Sequence, residues 1–179
     1  MGKFAVIAIL LAALGAGAGL WFAQTRGYYA PVEGPVTLTL LAEDGLTTLP
    51  ASGVAAIASG SSPLGFRACF TTDLDLAALE GEIAATPHPD AAPTIAPPWF
   101  DCFEAETIGA LLTSGEARAF IAYQDVAFGV DRIVALADDG RGWAWHELND
   151  CGRKAYDGTA VGRACPARET FVPLTEGSL

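Results

Sequence analysis

The stretch Gly142–Gly152, GWAWHELNDCG, gathers two tryptophans, a histidine, two acids and a cysteine within eleven residues. Chemistry at this point would use His146 as a general base, oriented by Asp150 or Asp131 and with Tyr123 nearby, because an imidazole needs a carboxylate to hold its tautomer. The competing reading is structural. If 142–148 is a strand, Trp143, Trp145 and Glu147 point to one face and Ala144, His146 and Leu148 to the other. The tryptophans then form a core layer or a cover over helices, and His146 becomes a histidine hydrogen-bonded to backbone or carboxylate at a sheet edge. The structural reading is preferred, because neither a second catalytic-type residue beside His146 nor a substrate pocket can be seen in the sequence. The other histidine, His88, lies in a proline-rich segment and supplies no obvious second ligand.

Other chemistries find less support. There is no G-x-S-x-G, no S-x-x-K and no phosphate-binding glycine loop, and the serines of GSSP (60–63) are ordinary turn residues. Four cysteines, Cys69, Cys102, Cys151 and Cys165, show no C-x-x-C or H-x-x-x-H spacing, so no metal site and no cofactor are expected. An even number beyond an export segment favours disulfides, which allow three pairings. Cys151 and Cys165 bracket a glycine-rich polar segment, and closing so short a loop is worth about 3 kcal/mol in the chain-entropy view. That pairing leaves Cys69–Cys102 by elimination.

The elements that would position these residues begin with an anchor. Phe4–Ala23 carries no charge. Twenty helical residues at about 1.5 Å each span about 30 Å, the thickness of a hydrocarbon core. Trp21, Phe22, Tyr28 and Tyr29 follow as an aromatic belt. A cleaved signal peptide with Ala16-Gly17-Ala18 at its cut is the alternative. The anchor is preferred because apolar residues continue through Leu20, Trp21 and Phe22. Gly15 and Gly19 form G-x-x-x-G, a face on which a second membrane helix could pack. The expected organisation is residues 1–26 as a single-pass inner-membrane anchor and 27–179 as an exported domain in the periplasm.

The 179-residue chain has a net charge of −11. Lys3 is its one charged residue before position 26, leaving nine basic and twenty-one acidic residues beyond, a balance of −12. Such a surface repels phosphate backbones, so nucleic acid is excluded as a partner. The expected partners are the membrane itself and a membrane-protein complex reached through the helix or the exported domain.

The exported part reads as α+β, mostly antiparallel, with two short helices. Strands are expected at 36–42, 64–72, 117–124, 129–137 and 142–148, the last two joined across Asp138-Asp139-Gly140-Arg141. ASGVAAIASGSSP (51–63) reads as a loop of small residues. Thr72 with Asp75 predicts a capped helix bearing Leu76, Leu79 and Ile83. Asp101 with Glu104 predicts another, with Ile108, Leu111 and Leu112 inward and Gly115 as its stop. Residues 86–98 hold five of the eleven prolines and read as a surface loop or extended polyproline stretch.

MGKF before a single apolar span, SSPLGFRACFTT, PPWFDCF, GVDRIVAL and WAWHELNDCG together resemble an uncharacterised family of small, N-terminally membrane-anchored alphaproteobacterial proteins, especially from photosynthetic and marine relatives. The resemblance covers nearly the whole chain. It implies no established activity, so it transfers no catalytic residue. Members are sometimes labelled histidine kinase. That activity needs a phospho-accepting histidine on a dimerisation helix and a separate ATP-binding module, whereas both histidines here lie outside predicted helices and the chain is too short for both modules. The functional expectation is a membrane-tethered periplasmic module for interaction, assembly or sensing, with a small envelope enzyme using His146 as the alternative.

Overall fold

A computed structural model describes residues 2–74, 76–162 and 164–174. Helix α1 (Gly2–Phe22) is followed by a wider π turn, Ala23–Gly27. None of the α1 residues is buried, and the helix is long and apolar enough to cross a membrane. A side chain added at Gly15 or Gly19 would meet nothing, so that face is open.

The remainder is built on a six-stranded antiparallel sheet in the order β1-β4-β5-β8-β7-β6. Its strands are β1 (Tyr29–Pro31), β4 (Ser52–Ser59), β5 (Arg67–Thr71), β6 (Ala117–Ala127), β7 (Val130–Ala137) and β8 (Arg141–Leu148). A separate hairpin pairs β2 (Thr39–Ala42) with β3 (Gly45–Thr48). Two helices, α2 (Leu76–Glu80) and α3 (Ala105–Ser114), complete the set.

Period-two alternation gives the sheet two apolar faces. On one, Phe66, Ala68, Phe70, Phe120, Ala122, Val134, Leu136 and Ala144 pack under Leu38, Leu40 and Leu49 of the hairpin region and Leu76 and Leu79 of α2. On the other, Ile133, Ala135, Trp143 and Trp145 pack under Phe103 and Ile108 from the α3 side. β8 lies between β5 and β7, so the tryptophan strand is central and buried on both faces.

Several expectations need correction. Residues 52–59 form a full strand where a loop was expected: Ser, Gly and Ala carry little strand propensity, and pairing with β1 and β5 supplies what propensity lacks. The strand expected at 36–42 covers only 39–42, with Val36–Leu38 entering it as irregular chain. Glu104 itself caps α3, its carboxylate accepting from the Glu106 and Thr107 amides, rather than serving as the partner of an Asp101 cap. The reason is the preceding turn, where the Phe103 amide donates to the Phe100 carbonyl while Cys102 is bonded to Cys69. Thr72 Oγ1 accepts from the Leu74 amide; its expected partner Asp75 lies outside the described residues. Ile83 falls beyond the end of α2 but still packs on the same core. Residues 85–88 are not a free loop. The Thr86 amide donates to Leu41, the Ile121 amide to Thr86 and the His88 amide to Ala119, so the segment covers the β6 edge and joins the hairpin to the main sheet.

The β7–β8 hairpin forms as expected. The Gly140 amide closes the turn on the Ala137 carbonyl, and Gly140 adopts φ +83. A Cβ there would also stand 2.8 Å from the Thr72 carbonyl oxygen, so both conformation and space require glycine.

Candidate functional site

The register between β7 and β8 sets the site. Arg132 pairs with His146, and Asp131 with Glu147, so the two pairs project from opposite faces of the sheet.

On the first face, His146 is 3 % exposed. Its ring stacks on Phe66 with centroids 4.8 Å apart, and Arg132 lies 4.1 Å over the same phenyl ring. Arg132 Nε donates to His146 Nε2 at 3.0 Å, which makes Nε2 the acceptor and leaves Nδ1–H to donate to the Pro63 carbonyl. Burial, reinforced by the Arg132 charge, pushes the His146 pKa down to about 3. The imidazole is therefore neutral, fixed in one tautomer and engaged at both nitrogens.

On the opposite face, Glu147 is 8 % exposed. Its Oε1 accepts from Trp145 Nε1 at 2.6 Å and from the Ala92 amide at 2.7 Å, and its Oε2 lies 3.2 Å from His88 Nε2. Burial works to raise the Glu147 carboxyl, but the bonds from His88, Trp145 and Ala92 outweigh it and hold the group below the ordinary carboxylate range. The hydrogen bond to Glu147 raises His88 against its own partial burial. This hydrogen bond, an ion pair wherever His88 is protonated, fastens the proline segment to the central strand.

Beside this pair lies an open cleft of about 390 Å³, lined by His88, Asp131, Glu147, Asn149, Asp150 and Arg153 among others. Asn149 organises its floor. Its Nδ2 donates to Asp125 at 2.9 Å and to Asp131 at 2.7 Å, while its Oδ1 accepts from the Cys151 and Gly152 amides. Burial raises the Asp131 carboxyl despite those bonds. The Cys151–Cys165 bridge closes the adjoining loop. Gly129 and Gly152 make this contact possible, since a Cβ on Gly129 would stand 2.4 Å from Gly152 Cα.

The sequence candidates are therefore divided between the faces. Asp131 and Asp150 share the cleft, whereas His146 is behind the sheet on the Phe66 side. Tyr123 is on β6, in register with Arg132. Asp150 is exposed, 3.9 Å from Arg153. The cysteines pair as Cys69–Cys102 and Cys151–Cys165. Among the described residues no group of three or more His, Cys, Asp or Glu is placed to hold a metal ion. The His88–Glu147 pair and the Asn149 hub escaped the sequence reading. Glu147 on the tryptophan face was legible, but a partner 59 residues away was not.

A family described as one of unknown function (DUF6446) matches residues 36–166. The chain belongs to this family. The matched span runs from just before β2 through the second disulfide, so five of the six strands of the main sheet and the cleft lie within it, while α1 and β1 lie outside. No curated protein and no solved structure matches the chain.

Two measurable consequences follow from the geometry of this DUF6446 domain. Replacing His146 by alanine would strip the partner from Arg132 Nε and from the Pro63 carbonyl and empty the stack on Phe66. A loss of about 2–4 kcal/mol in denaturant unfolding is expected, more than an edge histidine would cost. An unchanged midpoint would refute the buried, bonded role.

The two histidines also give stability opposite slopes with pH. His146 has its folded pKa depressed, so its contribution is complete above the ordinary 6.5 and erodes as pH falls toward about 3, by at most about 1.4 kcal/mol per pH unit. His88 has its folded pKa raised, so its contribution is complete below 6.5 and is lost as pH rises through the raised value. Stability measured by unfolding from about pH 5 upward should be greatest near 6.5, and His88→Ala should flatten the alkaline side while leaving the His146 slope just below 6.5 in place. An alkaline side unchanged by His88→Ala would contradict the assignment.

Proposed function

We propose that this protein is a membrane-tethered, non-enzymatic interaction or assembly module, with α1 as an uncleaved inner-membrane anchor over residues 1–26 and the domain from residue 27 onward in the periplasm. The observation that carries it is the pair of disulfides in a domain that follows a fully exposed apolar helix, because such bonds persist outside the reducing cytoplasm. Support for binding over catalysis comes from His146. A neutral imidazole, 3 % exposed and bonded at both nitrogens, would have to break one of those bonds to take a substrate proton. Its partners are a membrane-protein complex, reached through the open Gly15–Gly19 face of α1 or through the domain, and not nucleic acid.

Fusion of a reporter active only in the periplasm to the C-terminus tests the topology; activity of a cytoplasm-only reporter there would overturn it. Affinity purification of the full chain from mild detergent tests the binding role: a membrane protein should accompany it and be lost or reduced when Gly15 and Gly19 are replaced by leucine or when the domain is removed.

A second reading keeps an enzyme but moves the base to His88. That imidazole is solvent-accessible, opens on the cleft and is backed by Glu147. The described cleft lining contains no serine, threonine or free thiol, so His88 would have to activate water. Loss of a cellular phenotype in His88→Ala with partner recovery intact would favour this reading over the first.

A further inference from the structure

The proline segment carries an apolar tip that neither core uses. Ile95 is 82 % exposed, Pro98 is exposed and Trp99 is partly so. The tip stands beside the end of the membrane helix: the Arg26 guanidinium, in the π turn just after α1, lies 5.8 Å over the Trp99 ring. Trp21, Phe22 and Tyr28 are themselves exposed at that end of the helix. Amphipathic aromatic rings of this kind favour the headgroup level of a bilayer.

Part of the tip's backbone is satisfied from within. Arg67, 4 % exposed, reaches from β5 and donates Nε to the Thr94 carbonyl at 2.9 Å and Nη2 to the Ile95 carbonyl at 3.3 Å. The Pro97 carbonyl accepts from the Phe100 amide at 2.9 Å. Pro93, Pro97 and Pro98 have no N–H to leave unpaired. Polar backbone is the main cost of placing a loop in an apolar environment, and here the Thr94, Ile95 and Pro97 carbonyls are satisfied from within, which suits the hydrated headgroup level rather than the hydrocarbon core. The same Arg67 clamp ties the backbone at Ile95, whose side chain is exposed, to the sheet.

Charge decides which surface the tip suits. Asp101, Glu104 and Glu106 follow directly, and the chain beyond residue 25 carries −12. Anionic headgroups would be repelled, while zwitterionic ones would not.

We infer that residues 93–100 form a second membrane contact, in which Ile95, Pro98 and Trp99 dip into the zwitterionic headgroup interface beside α1 and hold the domain against the bilayer. The inference rests on the anchor reading above, and the test separates the two. The full chain carrying Trp21→Phe is reconstituted in phosphatidylcholine nanodiscs containing lipid brominated near the headgroup end of its acyl chains, a short-range quencher. Trp143 and Trp145 are 4 % and 0 % exposed and out of its reach, so Trp99 reports alone. Strong quenching is expected, most of it lost on adding Trp99→Phe. It should also be reduced on adding Ile95→Asp, which disturbs no packing. Protein that inserts but shows no more quenching than the Trp99→Phe variant overturns the loop contact only, as does quenching indifferent to Ile95→Asp. Protein that fails to insert at all overturns the anchor and the contact together.

Discussion

Truncation of Trp145 to alanine is expected to destabilise the domain by about 3–5 kcal/mol, a large share of the total stability of an ordinary small domain. The indole is 0 % exposed and stands edge-on to Phe103, with ring centroids 6.1 Å apart. Its removal leaves a cavity between the sheet and α3, in a central strand that cannot shift without disturbing β5 and β7 together. A polar loss is added, because Trp145 Nε1 is one of three donors to the buried Glu147 carboxylate. Trp145→Phe separates the two contributions, keeping most of the apolar volume and deleting the donor, and should cost clearly less than alanine. Denaturant unfolding followed by circular dichroism gives both values. Alanine and phenylalanine variants of equal stability would show that the ring's burial is not what holds this face together.

Replacement of both Cys69 and Cys102 by alanine is expected to cost about 4 kcal/mol. The bridge closes 33 residues of chain, and the loss of unfolded-state freedom on closing a loop of that length has about this value in the chain-entropy account. The closed span includes α2 and the whole proline segment, and it ends in the turn before α3. Trp143 Nε1 donates to the Cys102 carbonyl at 3.1 Å, so the folded turn keeps one tie when the bridge is gone. The variant should therefore fold with native secondary structure but unfold at much lower denaturant, whereas opening Cys151–Cys165, with a separation of 14, should cost about 3 kcal/mol. A midpoint unmoved by the first replacement, or linked peptides joining Cys69 to Cys151 or Cys165 under non-reducing conditions, would refute this account.

Much of this architecture could be read without coordinates, and the readable parts share a cause. The membrane-length helix follows from twenty uncharged residues in a row, because helix rise and bilayer thickness leave little choice. Trp143, Trp145 and Glu147 share a face because strand side chains alternate. Gly115 and Gly140 end a helix and close a hairpin because local backbone geometry demands φ above zero there. Each of these is a short-range property, complete within a few residues.

What failed to be legible depended on partners far along the chain. Residues 52–59 become a strand only because β1 and β5 offer their edges. His146 looked like an edge histidine and is buried, since Phe66 from just before β5 and Arg132 from β7 enclose it. Asp131, one of its expected orienting partners, is sent to the other face by a register in which Asp131 meets Glu147 and Arg132 meets His146. His88 gave no sign of chemistry in its proline segment until that segment ran along β6 and brought it to Glu147. Composition and periodicity determined the membrane-length helix, most of the strands and the glycine stops, because those follow from local conformation. Which side chains meet was decided by strand order and register, since in an antiparallel sheet a shift of one residue exchanges the faces without altering any local preference.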